Sequence, residues 1–209
     1  MSIIQQGLVS WSGENPGIYL KHPQNQQAGW CVLALYFKVV VSAYGRGRGI
    51  LLLGEPDSAL GYPAAPNLCI ADNLPLMRYL LDEYVPSFGA FKNVPSLAHV
   101  TLLQANQNGG TDSEVATAWR ESIEAQGVRL EMRWLDLQPP FAADVGPTFS
   151  ATGKHRMYSV FQGAQRAQVL LNDEVLPGVV IERDFLDGTL NSAFLAFGES
   201  WVEESRGQP

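Results

Sequence analysis

The stretch HRMYSVFQ, residues 155–162, contains the first residue that could do chemistry. In a β-strand successive side chains alternate between faces, so His155 would lie with Met157 and Phe161 while its basic neighbours face the other way. An imidazole in apolar surroundings can act as a general acid or base near neutral pH, or it can be a buried structural residue held by a hydrogen bond. The pattern favours the structural role, and catalysis is the alternative.

The last apolar run, SAFLAFGESWV at 192–202, places a carboxylate in a comparable position. Alternation predicts one face that consists of Ala193, Leu195, Phe197, Glu199 and Trp201. A buried carboxylate is costly unless it is protonated or paired, so we expect Glu199 to have a polar partner. We predict that His155 lies within hydrogen-bond reach of it, directly or through one water, which would make an acid–base couple. If Glu199 lies at a strand end instead, it can reach water.

Basic and aromatic side chains near these positions form a candidate ligand site. Arg183 lies in ERDF (182–185), directly before a DG turn. The favoured interpretation is an exposed salt-bridge ladder, in which this cluster pairs with Arg156 or Glu131 on neighbouring strands. In the alternative, the cluster faces a cavity mouth and binds a ligand that carries a carboxylate. The ligand-binding residues would then be Arg156, Tyr158, Arg183 and Trp201.

Other kinds of site find little support in the sequence. The glycine-rich YGRGRG (44–49) is followed by a strand pattern and not by a helix, so it predicts a hairpin turn rather than a phosphate site. The chain contains no HExxH, CxxC or nucleophile-elbow motif. Its three histidines are far apart; we expect His22 on the surface and His99 on the apolar face of a strand. We therefore predict no metal site and no cofactor.

The elements that would position these residues are mostly strands, because turn signals recur at short intervals along the chain. We predict a mainly β fold, an antiparallel sheet curled into a barrel or sandwich with one or two helices, and an α+β fold as the alternative. The apolar run 28–45 predicts one long buried strand, or two strands joined at a bend. Asp72 or Asn73 can cap a helix in NLPLMRYLLDEY, with Pro75 in its first turn. Pro86 then ends the helix.

Residues 111–134 allow two interpretations. TDSE has the form of a capping box, and the apolar residues that follow are spaced four apart, as in a helix. The same segment also alternates, and VRLEMRW alternates after it, so a hairpin turning at AQG is equally supported. Another hairpin is predicted in AQVLLNDEVLPGVVIERDF (167–185), where Asn172 and Asp173 tolerate positive φ.

Composition sets the broad class of the protein. The chain has 209 residues, 46% hydrophobic and 17% charged, which suits a single domain over 1–209 with a sizeable core. The net charge is −7 and the basic residues are scattered, which argues against a nucleic-acid partner. Lys38 interrupts the most apolar run, so we expect no membrane span, and the N-terminus lacks a signal-peptide pattern. We expect Cys31 and Cys69 to be free, buried thiols, which predicts a cytoplasmic protein.

These patterns support three functions. The favoured one is the binding of a small, largely apolar molecule in a barrel-like cavity, because inward apolar residues are dense and polar candidates are few. The alternative is a cofactor-free isomerase, lyase or hydrolase that uses His155 and Glu199 in the same cavity. The third is a homodimer without a small ligand, with the apolar strand at 28–41 as its interface. A large cavity lined by His155 or Glu199 would favour the first two functions, whereas a solid core would exclude both.

Overall fold

β-Strands make up most of the chain in the computed structural model, which describes residues 7–106, 111–112 and 117–204. The strands are β1 (Gly7–Glu14), β2 (Gly17–His22), β3 (Asn25–Ser42), β4 (Gly47–Leu53), β5 (Asn67–Ala71), β6 (Thr101–Gln104), β7 (Thr111–Asp112), β8 (Ala118–Ala125), β9 (Val128–Leu137), β10 (Phe141–Val145), β11 (His155–Leu171), β12 (Glu174–Val175), β13 (Glu182–Phe185), β14 (Gly188–Asn191) and β15 (Ala193–Glu204). The helix α1 spans Leu74–Glu83, and 3₁₀ turns lie at Val85–Ser87, Gly89–Phe91, Pro95–His99 and Pro147–Phe149.

Most of these strands belong to one 13-stranded sheet, in the order β6-β5-β4-β3-β1-β15-β11-β9-β8-β7. Beside this path, β2 pairs with β3 and β15, while β10 and β12 pair with β11. The pairing of the described strands is antiparallel except between β5 and β6, which run parallel. The strands β13 and β14 form a separate antiparallel hairpin. The prediction of a mainly β fold with a curled sheet and a helix is confirmed, and the arrangement is sandwich-like.

The sheet has an apolar layer on each of its two faces. In β3, Leu35 and Phe37 belong to one layer, whereas Ala34 and Tyr36 belong to the other. Helix α1 and the turns that follow it cover the first layer, whereas β8 packs over β4 and β5 and, together with β9, contributes to the second. A strand covered on both sides is apolar throughout. This explains the composition of the long run in β3, which is a single strand.

Helix α1 begins where the sequence predicts it. Asn73 caps the helix, because its side-chain Oδ1 accepts a hydrogen bond of 3.1 Å from the backbone N–H of Leu76. Pro75 occupies the first turn, where a missing N–H costs nothing. After Glu83 the chain enters the 3₁₀ turn that contains Pro86. The predicted helix is confirmed, and its apolar face packs on the first layer.

The ambiguous segment at 111–134 contains a hairpin. Strands β8 and β9 pair in antiparallel register and turn at Gln126 and Gly127, whose φ angles are 50° and 79°. The hairpin is confirmed for the described part of this segment and the helix is wrong there; residues 113–116 lie outside the described residues. The turn of the hairpin predicted at 167–185 is confirmed as well, with positive φ at Asn172 and Asp173. Its second arm is shorter than predicted, because Glu174–Val175 pairs with β11 whereas Glu182–Phe185 pairs with β14.

The surroundings of His99 differ from the prediction. His99 ends a 3₁₀ turn that begins at Pro95, and it is exposed. Proline fixes φ at a turn value here, so β6 begins only at Thr101 and the predicted strand face is wrong. His22, in contrast, is exposed at the end of β2, as expected.

The thiols agree with the sequence-based expectation. Cys31 and Cys69 are both free and both buried, so the prediction about them is confirmed. Within the part of the chain that the structure describes, no helix combines the length and apolar character needed to cross a membrane.

Candidate functional site

A β-bulge at Gly198 decides which side chains of β15 face the interior beside β11. Tyr158 of β11 pairs with Ser200 and Val160 pairs with Phe197, so β15 has one more residue than its partner at this point. Gly198 has a left-handed φ of 58°, a conformation that glycine adopts without strain.

The bulge shifts the alternation of β15 by one residue. Trp201 belongs to the same apolar layer as Phe194 and Ala196, and Glu199 lines a cavity together with Phe194 and Trp201. The predicted common face is therefore wrong, because the opposite layer contains Ala193, Leu195 and Phe197. A carboxyl group thus lies on the side of the sheet that α1 covers.

This side of the sheet borders a cavity of about 400 Å³. The cavity lies between β11, β15, the segment 87–92 after α1, the turn at 147–151 and the β13–β14 hairpin. Its aromatic wall consists of Tyr19, Phe88, Phe149, Phe161, Phe185, Phe194 and Trp201. Its polar residues are Asn15, Ser87, Lys92, Ser150, Arg183, Asp184 and Glu199. Apolar walls with a few polar groups are typical of sites that bind small molecules.

Because Gly17, at the start of β2, has no side chain, the rings of Phe194 and Tyr19 can pack against each other in the aromatic wall. A Cβ at this position would lie 2.8 Å from the ring of Phe194 and 3.1 Å from the ring of Tyr19, closer than carbon atoms normally pack. Without that carbon, the two rings meet edge to face with their centroids 5.5 Å apart. The glycine therefore helps to shape the cavity.

Glu199 is a buried carboxyl group in the cavity wall, with 4% of its surface exposed. Its Oε1 accepts a hydrogen bond of 2.7 Å from the indole N–H of Trp201. Burial raises the pKa of Glu199 to about 8, and the bond from Trp201 only partly opposes that rise. Among the described residues, no cation forms an ion pair with Glu199. At neutral pH the group is mainly a neutral carboxylic acid, which can both donate and accept a hydrogen bond.

Arg183 brings a positive charge to the same cavity from β13. Its guanidinium carbon lies 5.5 Å from the ring centroid of Tyr19, 5.3 Å from that of Phe185 and 5.4 Å from that of Phe194. The Nε atom is buried and has no hydrogen-bond partner among the residues that the structure describes. Burial lowers the pKa of the guanidinium, which still stays charged at neutral pH. Ring faces rather than a carboxylate therefore surround this cation.

Tyr19 lies within electrostatic reach of both Arg183 and Glu199. Burial raises the pKa of its hydroxyl, the charge of Arg183 opposes that rise, and Glu199 adds to it. The hydroxyl therefore stays protonated at neutral pH and supplies another hydrogen-bond donor to the cavity.

His155 is buried but has partners outside the cavity. Its Nε2 lies 3.2 Å from the Tyr84 hydroxyl and its Nδ1 lies 3.0 Å from the Thr152 hydroxyl. Burial lowers the pKa of the imidazole, so the neutral form is favoured at neutral pH. His155 also meets the ring of Trp201 edge to face, with 6.2 Å between the centroids, and it is Trp201 that donates to Glu199. The predicted direct hydrogen bond between His155 and Glu199 is not found among the described contacts.

The other predicted ligand residues are divided between two faces. Arg156 donates from Nε and Nη2 to the carboxylate of Asp144 on β10, at 2.8 Å in each case. Tyr158 is 45% exposed on the same outer face of β11. Arg183 and Trp201 line the cavity, so these two are the predicted ligand residues that the structure brings together.

The salt-bridge ladder predicted for ERDF is wrong. Strand β13 pairs with β14, where Arg183 is in register with Leu190, because the DG turn folds the chain back on itself. Glu131 of β9 is buried and accepts hydrogen bonds from Arg129, at 2.7 Å, and from Arg133. Its ion pairs are therefore formed along its own strand.

Regular patterns in the sequence do not reveal the remaining walls of the cavity. The segments 87–92 and 147–151 line it through 3₁₀ turns and the residues beside them, where no alternation indicates which side chains face inward. A weaker signal is present, since Phe88 and Phe149 are aromatic residues within turn-forming stretches. Such loops on a rigid sheet often contribute to binding sites.

Comparison with known proteins adds no functional assignment. The chain matches no protein-family model, and no curated protein matches its sequence. Within 7–106, 111–112 and 117–204, no group of three or more histidine, cysteine, aspartate or glutamate side chains is placed to hold a metal ion. Function is therefore inferred from the cavity and the groups in its wall.

Proposed function

We propose that the protein binds a small, largely apolar molecule in the cavity beside β11 and β15. The observation that supports this most is a volume of about 400 Å³ with an aromatic wall. Small-molecule sites typically enclose roughly 300–1,000 Å³. An apolar ligand would displace water from the aromatic wall and gain dispersion contacts with its rings.

The polar groups of the cavity suit a ligand that is apolar over most of its surface. Glu199, Tyr19 and Arg183 are buried or partly buried polar side chains within electrostatic reach of one another, in a wall that is rich in rings. Each aromatic contact contributes roughly 0.5–1.5 kcal/mol beyond the area that it buries. The few polar groups would then orient the ligand, since a buried polar group left unpaired is costly.

The β13–β14 hairpin forms one wall and marks the mouth of the cavity. In the described part of the chain, its strands pair with each other and not with strands of the large sheet, to which the side chain of Asn191 donates a hydrogen bond of 2.9 Å at the Ala164 carbonyl of β11. Two apolar residues of the wall are also exposed to solvent, Leu186 at 49% and Phe149 at 84%. Side chains that contact both the cavity and the solvent lie at its opening, so a ligand can enter there without disturbing the sheet.

A cofactor-free isomerase, lyase or hydrolase in the same cavity is the second candidate. The pKa of about 8 for Glu199 suits a general acid or base that works near neutral pH. His155 does not contribute to the wall of this cavity, and its ring nitrogens are bonded to Tyr84 and Thr152. Catalysis would therefore depend on Glu199 with Tyr19 nearby, and the geometry supports binding better.

The homodimer through residues 28–41 has less support. The central residues of β3 are covered by the two apolar layers of the chain itself. Val40 and Val41, which are 58% and 51% exposed, lie at its end. A stable interface buries roughly 800 Å² on each partner, which is much more than two valine side chains provide.

Filling the mouth of the cavity tests the proposal. Ala151 lines the cavity in an exposed turn, so Ala151→Trp would occupy part of the volume without changing the sheet. Ala98→Trp, at an exposed position in another 3₁₀ turn, is the matched control. Naphthalene-2-acetamide, a small and mostly apolar probe, would be titrated into each protein by calorimetry.

We expect the wild type and Ala98→Trp to bind the probe with the same affinity. Ala151→Trp should lose roughly tenfold or more, equivalent to about 1.4 kcal/mol. A wild type that binds no probe, or an Ala151→Trp variant that binds as well as the wild type, would contradict the proposal.

A further inference from the structure

We propose that the ligand carries a single carboxylate, which Arg183 binds while an apolar body occupies the aromatic part of the cavity. This inference rests on the proposed small-molecule function and adds the charge of the ligand to it. It starts from the surroundings of Arg183, a partly buried cation whose neighbours are aromatic rings.

Among the described residues, the guanidinium of Arg183 has no hydrogen-bond acceptor. Its Nε is buried without a hydrogen bond, and no acidic side chain among the described residues forms an ion pair with it. Ring faces attract a cation but provide no acceptor oxygen for its N–H groups. A carboxylate supplies both the opposite charge and two acceptor oxygens that match the planar guanidinium.

The other charged groups of the cavity do not neutralise the partly buried positive charge of Arg183. Glu199 is mainly protonated at neutral pH, because burial raises its pKa to about 8, so it does not balance Arg183. Lys92 and Asp184 are exposed at the edge of the cavity, where water screens their charges. A monocarboxylate would balance Arg183, a dianion would bring an unpaired charge into the cavity, and a cation would add to the existing one.

The rings next to Arg183 indicate where the rest of the ligand lies. Phe185 follows Arg183 closely in β13, and its ring centroid lies 4.8 Å from that of Phe161. Phe161 in turn contacts Phe194, with 6.0 Å between the centroids. A carboxylate at Arg183 therefore places the neighbouring part of the ligand against these rings, so a short linker between acid and ring system fits the site.

A matched pair of probes tests the charge directly. Naphthalene-2-acetate and naphthalene-2-acetamide have nearly the same shape, but only the acetate is negatively charged at neutral pH. We expect the wild type to bind the acetate roughly 10- to 100-fold more tightly than the amide, since charge-assisted hydrogen bonds are that much stronger than neutral ones. Calorimetry measures both affinities.

Variants assign that preference to Arg183. Arg183→Gln should bring the affinities for the acetate and the amide close to each other, and Arg183→Lys should retain part of the preference because the charge remains. Arg156→Gln is the matched control, because Arg156 is paired with Asp144 on the outer face of β11. Thermal unfolding would verify that each variant is folded.

The outcomes separate this inference from the function on which it rests. Equal binding of the two probes by the wild type, or a preference that survives in Arg183→Gln, would overturn the carboxylate ligand and leave small-molecule binding in place. A wild type that binds neither probe would overturn the proposed function and this inference together.

Discussion

Replacing Glu199 by glutamine should reduce the pH dependence of folding stability. The ordinary pKa of the carboxyl is 4.5, and burial raises it to about 8 in the folded chain. The folded state therefore binds the proton more tightly than the unfolded state. Well below pH 4.5 the group is protonated in both states, and as the pH rises from there toward 8 the group costs the folded state an increasing amount of free energy. Glutamine has a similar shape and no charge, so this cost is absent in the variant.

The magnitude follows from the pKa difference. Each pKa unit corresponds to about 1.4 kcal/mol, so the interval from 4.5 to about 8 sets an upper limit of about 5 kcal/mol on the cost at alkaline pH. Relaxation and water in the cavity reduce this cost. We expect Glu199→Gln to be roughly 2–3 kcal/mol more stable than the wild type at pH 9, and nearly equal to it at pH 5.

Urea unfolding from pH 5 to pH 9 measures this difference. His155, whose pKa is lowered by burial, contributes stability that rises with pH, the opposite direction to Glu199. Because His155 is present in both proteins, its contribution cancels in the difference. Glu174→Gln, at an exposed position in β12, is the control and should show no such trend. A difference between Glu199→Gln and the wild type that stays constant over this pH range would refute the reasoning.

Three further predictions concern the cavity and the core. His155→Gln should leave the affinity for naphthalene-2-acetamide nearly unchanged. It should cost about 1–3 kcal/mol of folding stability, because the hydrogen bonds of the imidazole to two hydroxyls are lost. A large loss of affinity would show that His155 acts in the site. Gly198→Ala should cost about 1–2 kcal/mol in urea unfolding, because only its φ of 58° opposes a side chain. Gly146→Ala is the control, because Gly146 has as much space for a side chain but a φ of −63°, and it should change the stability little. Equal losses of stability in the two variants would contradict the left-handed conformation at the bulge. Cys31 and Cys69 should react slowly with a thiol reagent in the native protein, because both are buried. After denaturation without reductant the reagent should detect two thiols, whereas detection of none would reveal a disulfide.

Features that depend on a few adjacent residues were predictable from the sequence. Asn73 and Pro75 identify the start of α1, because a cap and a first-turn proline are local. Asn172 and Asp173 identify a hairpin turn for the same reason. The inward face of His155 was also correct, since the first residues of β11 alternate without interruption.

Features that depend on the pairing of strands far apart in the sequence were not predictable. The burial of Glu199 beside Trp201 was predicted correctly, but its grouping with Ala193, Leu195 and Phe197 was wrong, because the bulge at Gly198 arises from the pairing of β15 with β11. Alternation along a strand predicts which face of the sheet a side chain occupies, but it does not predict which residue that side chain contacts. The indole N–H of Trp201 supplies a partner to Glu199, and the hydroxyls of Tyr84 and Thr152 supply partners to His155, so neither group depends on the other for a hydrogen bond.

The central claim, that this cavity binds a small apolar molecule, is tested most directly by NMR at the indole N–H groups of the five tryptophans. Trp201 lines the cavity, whereas Trp119 packs against the opposite layer and donates its N–H to Glu121. Titration with naphthalene-2-acetamide should shift the Trp201 signal, assigned with a Trp201→Phe variant, in a saturable way and leave the Trp119 signal in place. A Trp201 signal that does not move, or that moves no more than that of Trp119, would contradict binding in this cavity.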